Sequence, residues 1–375
     1  MSGDQFVRGD GVTQTVDESL DSDQRRRAPD ESTVGLGPAQ ATGPGPQDFD
    51  AACSLEAGET LARRFAVVRF VARGGMGAVY EADDLVLHTR VALKVLERNL
   101  VADSAAMERF QREVLLARSV SHPNVCRVYE FYEAATAAGV PVHFLTMEFL
   151  EGETLSSRLR RNGRLTTNEA LPLFRQMCEG LAAAHAESVI HRDFKSSNVI
   201  LVPRAESGQG GERVAITDFG IARALRQPKV PGAEATGGAG FIGTPEYMAP
   251  EQVTGRDVSP ATDVYALGVV LYEMVTGQLP FSGDTPLAIA ARHVEQAAPR
   301  PELATPGLNP RWSRTILRCL DREPSRRFRH AADVASALSG DLLRRTWWLR
   351  AGAMLGSSLK RPATRPPAWI CAFTT

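Results

Sequence analysis

The chain has 375 residues, of which 43% are hydrophobic and 23% charged, and its net charge is −1. This is the composition of an ordinary globular protein with enough apolar mass for a large core. The charge balance argues against nucleic-acid binding, and no run reaches the ~18–20 apolar residues that a membrane-spanning helix needs. Five scattered cysteines (Cys53, Cys126, Cys178, Cys319, Cys371), without CxxC spacing, argue for reduced thiols rather than a zinc site or a disulfide framework.

In chain order, residues 1–60 are rich in Gly, Pro, Ser, Asp and Gln, with ten acids against four bases in residues 1–50. Such a stretch buries too little apolar surface to offset chain entropy, so a disordered leader is expected. It opens without a basic segment followed by an apolar run, so no signal peptide is expected and the location reads as cytoplasmic. From residue 61 short β-branched runs appear: FAVVRFVA, AVYEADD, RVALKVL, then VCRVYEFYEA and PVHFLTMEFL. They predict a five-stranded antiparallel sheet. Between the third and fourth runs, Met107, Phe110, Val114 and Ala117 recur at helical spacing and predict one helix over Ser104–Ser119.

After residue 150 helical patterns take over. Thr166 and Glu169 have the spacing of a capping box, opening a helix that runs to about Glu187. The string ATDVYALGVVLYEMVTG is apolar nearly all round, which predicts a helix buried inside its lobe. Further helical patterns lie at 286–296, 310–320 and 331–344, and the polar stretch 203–213 reads as an exposed loop. The fold class is therefore α+β: a β-rich lobe over 61–148, a mostly α-helical lobe over 149–341, and a tail over 342–375 with six Lys/Arg and no acid.

Four motifs carry the chemistry. VARGGMGAV (Val71, Ala72, Arg73, Gly74, Gly75, Met76, Gly77, Ala78, Val79) lies between two strands. That context argues against a Rossmann or Walker A loop, both of which open a helix, and fits a glycine hairpin laid over nucleotide phosphates. One strand later VALK places Lys94 where an ammonium can neutralise phosphates, with Glu113 on the predicted helix as the carboxylate that steadies it. In isolation either residue would be an ordinary surface charge. HRDFKSSN is the most specific string: Asp193 can orient a hydroxyl and take its proton, Lys195 can face the transferring phosphate, and Asn198 offers a hard metal a neutral oxygen. DFG follows, and Asp218 can bridge the metal to the phosphates.

Together these strings resemble the eukaryotic-like protein kinase family over about residues 61–341. The resemblance implies a bilobal protein-kinase fold and a serine/threonine kinase that moves the γ-phosphate of ATP to protein hydroxyls, with Mg²⁺ as metal and Mn²⁺ as an alternative. It implies that Lys94 with Glu113 serves ATP, that Asp193 is the base, and that Asn198 and Asp218 hold the metal. It also implies a hinge in MEFLEG, where the backbone of Glu148 and Leu150 meets adenine, with Val79, Ala92 and Ile200 sandwiching the ring. APE brings Glu251, expected to pair with Arg327, and Asp263 is expected to accept backbone N–H groups of the catalytic loop. Lys195 and the GTPEYMAPE string, with Thr244 near Asp193 and Lys195, resemble Ser/Thr rather than Tyr kinases. The texture of GGMGAVYEA, HPNV and DFGIAR resembles bacterial members in signal transduction. Two departures stand out: Ala72 replaces the loop's first glycine, and HRDFKSSN varies the commoner HRDLKPxN at Phe194 and Ser196 without removing a chemical group.

Regulation is implied by Arg192, which in this family commonly waits for an activation-loop phosphate. Thr236 is the one hydroxyl residue between Gly220 and Thr244, so it is the expected autophosphorylation site. Phosphorylation in trans would bring two copies together; the other partners expected are proteins bearing Ser or Thr. His122 and His185 are read as hydrogen-bonded structural residues and His191 as packing beneath Phe219. Two rival classes remain beside this reading. A pseudokinase would have lost the lysine or an aspartate, and a small-molecule phosphotransferase would lack GTPEYMAPE.

Overall fold

The computed structural model describes residues 55–74, 77–97, 104–204, 211–219 and 244–339, the side chain of Ala105 excepted. The leader up to residue 54, the hairpin tip Gly75–Met76, Gly220, Thr236 and the tail from residue 340 lie outside the described residues. The fold starts earlier than the predicted boundary at residue 61. Leu55 is buried and its N–H donates to the Tyr80 hydroxyl at 3.2 Å, while the Gly58 N–H donates to the Val67 carbonyl at 2.8 Å. One apolar residue and a turn suffice to dock this end of the chain on the sheet.

The first lobe is an antiparallel sheet of six strands: β1 (Thr60–Leu61), β2 (Phe65–Gly74), β3 (Gly77–Asp84), β4 (Thr89–Leu96), β5 (Val128–Ala135) and β6 (Pro141–Glu148). Their order is β1-β2-β3-β4-β6-β5. The five predicted strands are present, and two-residue β1 adds the sixth. Among the described residues the lobe has one helix, α1 (Ser104–Ser119), with the predicted bounds. Side chains alternate faces along a strand, and β4 shows the consequence. Leu93 and Val95 pack with Phe65, Tyr80 and Phe144 on the outer face. Leu96 packs with Phe110 and Val114 of α1 on the inner face. Lys94 and Ala92 share the inner parity, so the same pleat that builds two cores aims the ammonium into the interlobe side.

The second lobe opens with a three-stranded sheet, β7 (Glu153–Thr154), β8 (Val199–Pro203) and β9 (Glu212–Ile216), in that order. Helix α2 (Leu155–Asn162) was not anticipated, whereas α3 (Thr167–Ala186) carries the expected capping box of Thr166 and Glu169. Then come α4 (Pro250–Val253), α5 (Pro260–Thr276), α6 (Pro286–Glu295), α7 (Pro301–Ala304), α8 (Pro310–Cys319) and α9 (Ala331–Ser339). Helix α5 is the axis of the lobe: 14 of its 17 residues are buried, so its all-round apolar pattern is met by neighbours on every side.

The fit around α5 is close enough to demand a glycine. A Cβ on Gly268 would lie 2.5 Å from the Cβ of Cys319 on α8. Helix propensity alone favours alanine by about 1 kcal/mol, but overpacking a core costs about 1–3 kcal/mol. Gly268→Ala should therefore lower the urea midpoint of unfolding, and a raised midpoint would show that α8 can retreat without loss.

Candidate active site

The catalytic string is an irregular loop, and a single buried carboxylate shapes it. Asp263, in the first turn of α5 and 1% exposed, accepts the N–H groups of His191 (2.8 Å) and Arg192 (2.9 Å) and contacts His185 Nε2 at 2.7 Å. Arg192 takes a φ of +65°, a left-handed backbone that costs a residue with a Cβ about 1–2 kcal/mol. It is held there from both sides, by Asp263 at its N–H and by the Gln252 amide at its carbonyl (2.7 Å). Gln252 was missed in the sequence, where it is just the residue after APE. Its Oε1 also accepts the Ala249 N–H at 3.0 Å, so one side chain joins the APE segment to the catalytic loop.

Beyond Arg192 the candidate catalytic groups converge. The Lys195 ammonium donates to Asp193 Oδ2 at 2.8 Å and to Thr244 Oγ1 at 2.6 Å. A carboxylate, a cation and a substrate-side hydroxyl thus stand in one chain, with both charged groups partly exposed. Thr244 reaches Lys195; no bond joins it to Asp193 among the described residues. Asn198 is buried and its Nδ2 donates to the Asp193 carbonyl at 2.9 Å, which fixes the amide and leaves Oδ1 without a partner among the described residues. Its own carbonyl accepts the Thr217 N–H at 2.9 Å, placing Asp218 beside it. His191 closes the link: Nε2 lies 2.9 Å from the Thr217 carbonyl, and its ring packs 4.6 Å from Phe219, which is 5% exposed.

The charge pairing corrects one expectation. Lys94 does not pair with Glu113; it pairs with Asp218, while Glu113 accepts from Arg192 Nη1 at 2.9 Å. Two cations and two carboxylates are thereby matched, Lys94 with Asp218 and Arg192 with Glu113. Lys94 is 6% exposed and cannot stay unpaired in that environment. Asp218, turned into the cleft by a φ of +62°, supplies the counter-charge from the opposite lobe. Burial pushes the Asp218 carboxyl up, but the Lys94 charge and hydrogen bond outweigh it and hold the group below the usual carboxylate range. Both ion pairs run from one lobe to the other.

The nucleotide-side residues occupy the cleft edges. Val71, Ala72, Arg73 and Gly74 end β2 and are exposed, with register shifts at 67/69 and 70/72 that bend the strand. Ala72 pairs with Val79 in the sheet and keeps the negative φ of a strand, so its methyl is accommodated. Gly77 has no such freedom: at φ +146° a Cβ would lie 1.8 Å from the Val95 carbonyl oxygen. Ala78 is buried and pairs with Val95, Val79 pairs with Lys94, and Ala92 pairs with Met147. Ile200 sits between Val199 and Leu201, which face the core, so its side chain takes the opposite face of β8. At the hinge Glu148 donates its N–H to the Arg127 carbonyl (2.9 Å), and its own carbonyl lies 3.7 Å from the Cys126 thiol. Leu150 follows two residues on, half-buried. A partly enclosed cavity behind this edge is lined by Lys94, Cys126, Met147, Asp218 and Phe219, among others.

The sequence profile of the protein kinase domain matches residues 65–338. The chain belongs to the protein kinase family. It is 38% identical over 314 residues to the serine/threonine-protein kinase PknA of Mycobacterium tuberculosis, an alignment spanning 84% of this chain and 67% of that one. It is 36% identical over 278 residues to PknB of the same species, spanning 74% of this chain and 43% of PknB. Among solved structures, the PknI kinase domain of M. tuberculosis superimposes with a TM-score of 0.58 at 26% identity, covering 76% of this chain and 99% of that domain. The protein is a bacterial eukaryotic-like serine/threonine protein kinase, an ATP- and divalent-metal-dependent class acting on proteins.

The donor set of this kinase suits a hard metal. Asn198 Oδ1 and the Asp218 carboxylate offer the oxygen donors that Mg²⁺ prefers, and Mg²⁺ is ordinarily held by one or two carboxylates plus phosphate oxygens. Among the described residues no group of three His, Cys, Asp or Glu side chains forms a softer or fuller cage.

On the substrate side the kinase carries the expected buried tie. Arg327 donates to both oxygens of Glu251 at 2.8 Å, to the Ala261 and Asp321 carbonyls, and stacks 4.8 Å over Tyr265. Burial pushes the Glu251 carboxyl up, but Arg327 and the Thr262 hydroxyl hold it below its ordinary value. The pair therefore contributes fully above the usual carboxylate range and is lost as pH falls through the lowered value. With both side chains 2% exposed or less, Arg327→Met should destabilise by about 3–5 kcal/mol at neutral pH, since it strands a buried carboxylate. Denaturant unfolding checks this, and a loss under 1 kcal/mol would show that Glu251 finds another partner.

Proposed function

We propose that Asp193 is the catalytic base of this serine/threonine kinase, and that Lys195, Asn198, Asp218 and Lys94 form the rest of its charge machinery. The observation carrying this reading is the chain from Asp193 through Lys195 to Thr244, at 2.8 and 2.6 Å. It joins a proton acceptor and a phosphate-facing cation to the loop that would present a protein hydroxyl. In the step itself the Ser or Thr oxygen bonds to the γ-phosphorus, the bond to the β-phosphate oxygen breaks, and the hydroxyl proton passes to Asp193. Positioning and charge stabilisation account for most of such catalysis.

Mg²⁺, when bound, would neutralise charge on the phosphates, and Asn198 and Asp218 are the residues to hold it. Lys94 would face the α- and β-phosphates once released from Asp218, and Glu113, once released from Arg192, is the carboxylate to steady it. The backbone of Glu148 and Leu150 would meet adenine between Val79, Ala92 and Ile200, under the hairpin 71–79. A cytoplasmic location accords with the buried free thiols of Cys126, Cys178 and Cys319, and no helix among the described residues is long and apolar enough to cross a membrane. The domain limits at 149 and 341 belong to this proposal, and the first limit moves from 61 back to Leu55.

Arg192 is the hub for control. Its Nε is buried without a hydrogen-bond partner among the described residues, so it retains a donor beyond its Glu113 pair. A phosphate on Thr236 would compete with Glu113 for this guanidinium, and transfer in trans would require two copies to associate.

Transfer of labelled γ-phosphate from ATP to the chain and to a generic basic protein tests the mechanism. Asp193→Asn should lower kcat by about 10²–10⁴-fold, Lys94→Met nearly as much, and a chelator should silence the enzyme. Full activity in Asp193→Asn would overturn the assignment. Phosphopeptide mapping of active enzyme should find Thr236 modified; an unmodified Thr236 at full activity would remove it from the account.

A further inference from the structure

We propose that Ser196 is a positioning residue for the protein substrate, tying the catalytic loop to the substrate-side loop through Tyr247 and Glu273. Ser196 is 1% exposed. Its Oγ lies 2.9 Å from the Tyr247 phenolic oxygen and 3.2 Å from Glu273 Oε1, while the Tyr247 hydroxyl donates to Glu273 Oε2 at 2.7 Å. Three oxygen groups from the catalytic loop, the 3-10 turn Pro245–Tyr247 and helix α5 close into a ring.

The proton count decides who holds whom. Each hydroxyl owns one proton and an ionised carboxylate owns none. The short contact assigns the Tyr247 proton to Glu273. The Ser196 proton is then shared between Glu273 and the Tyr247 oxygen, so Ser196 supplies the donor that closes the ring. Burial, with the Glu273 charge beside it, pushes the Tyr247 phenol well up and keeps it a donor.

The placement gives this ring its purpose. Ser196 follows Lys195, and Tyr247 lies three residues after Thr244. The same two loops are thus joined twice, at Lys195–Thr244 among the reacting groups and at Ser196–Tyr247 behind them. The commoner HRDLKPxN string has proline at the Ser196 position, which carries no hydroxyl. Here the departure adds a chemical group. Its loss should loosen the substrate loop relative to Asp193 while leaving Lys94, Asp218 and the hinge untouched. The inference rests on the reading that the turn at 245–248 faces protein substrate.

Steady-state kinetics with ATP and a protein substrate varied separately test it. Ser196→Ala should raise KM for the protein about threefold to tenfold, the worth of one hydrogen bond, with a smaller effect on kcat and a KM for ATP within about twofold. Ser196→Pro should behave alike: position 196 opens a 3-10 turn, where a missing N–H is tolerated, and Lys195 before it is extended. Adding Ser196→Ala to Tyr247→Phe should cost nothing further if the serine acts through that hydroxyl. An unchanged protein KM in both Ser196 variants, an equal rise in KM for ATP, or additive losses in the double variant would each overturn the proposal. Transfer by the parent enzyme and its loss in Asp193→Asn separate these outcomes from failure of the broader reading.

Discussion

The HRDFKSSN loop is shaped by one buried carboxylate. Asp263 sits in the first turn of α5, where the helix dipole favours an anion, and turns two backbone N–H groups of the catalytic loop toward itself. Without it Arg192 would keep only the Gln252 amide to hold its left-handed backbone, and the residues after it would be less firmly directed. The helix beneath is clamped on nearly every face, so the carboxylate stands on a rigid base. Catalytic precision here is borrowed from core packing.

The same helix also supports the substrate side. Arg327 stacks on Tyr265 and holds Glu251, Thr262 bonds Glu251 from α5, and Glu273 near its far end anchors Tyr247. The catalytic loop and the APE segment are therefore registered against a common beam, and Gln252 and Ser196 lace them to each other directly. Small displacements of either loop must be paid against several hydrogen bonds at once.

Much of this was legible in the sequence because the chemistry is local. The HRDFKSSN and DFG strings named their own residues, the capping box named the start of α3, and the spacing of VALK one strand after the glycine hairpin singled out Lys94. What was not legible depended on groups distant in the chain. The partner of Lys94 lies 124 residues further along the chain, and nothing in the local sequence marks it. The role of Ser196 required knowing that Tyr247 and Glu273 come within reach of its hydroxyl. Helices α2 and α7 are too short to give a periodic signal, and the early docking of Leu55 turns on one apolar residue in polar surroundings.

The crossed ion pairs bear on what this cleft will bind. A ligand that draws the Lys94 ammonium away from Asp218 must break that pair, so its apparent affinity is diminished by the fraction of molecules in which the pair is closed. A compound that occupies the adenine edge and the cavity behind it, without phosphates, would leave the pair intact and escape that penalty. Triphosphates and neutral adenine mimics would then report on different states of one cleft. The four charges that bridge the lobes would act as a filter on ligand chemistry as well as a brace for the fold.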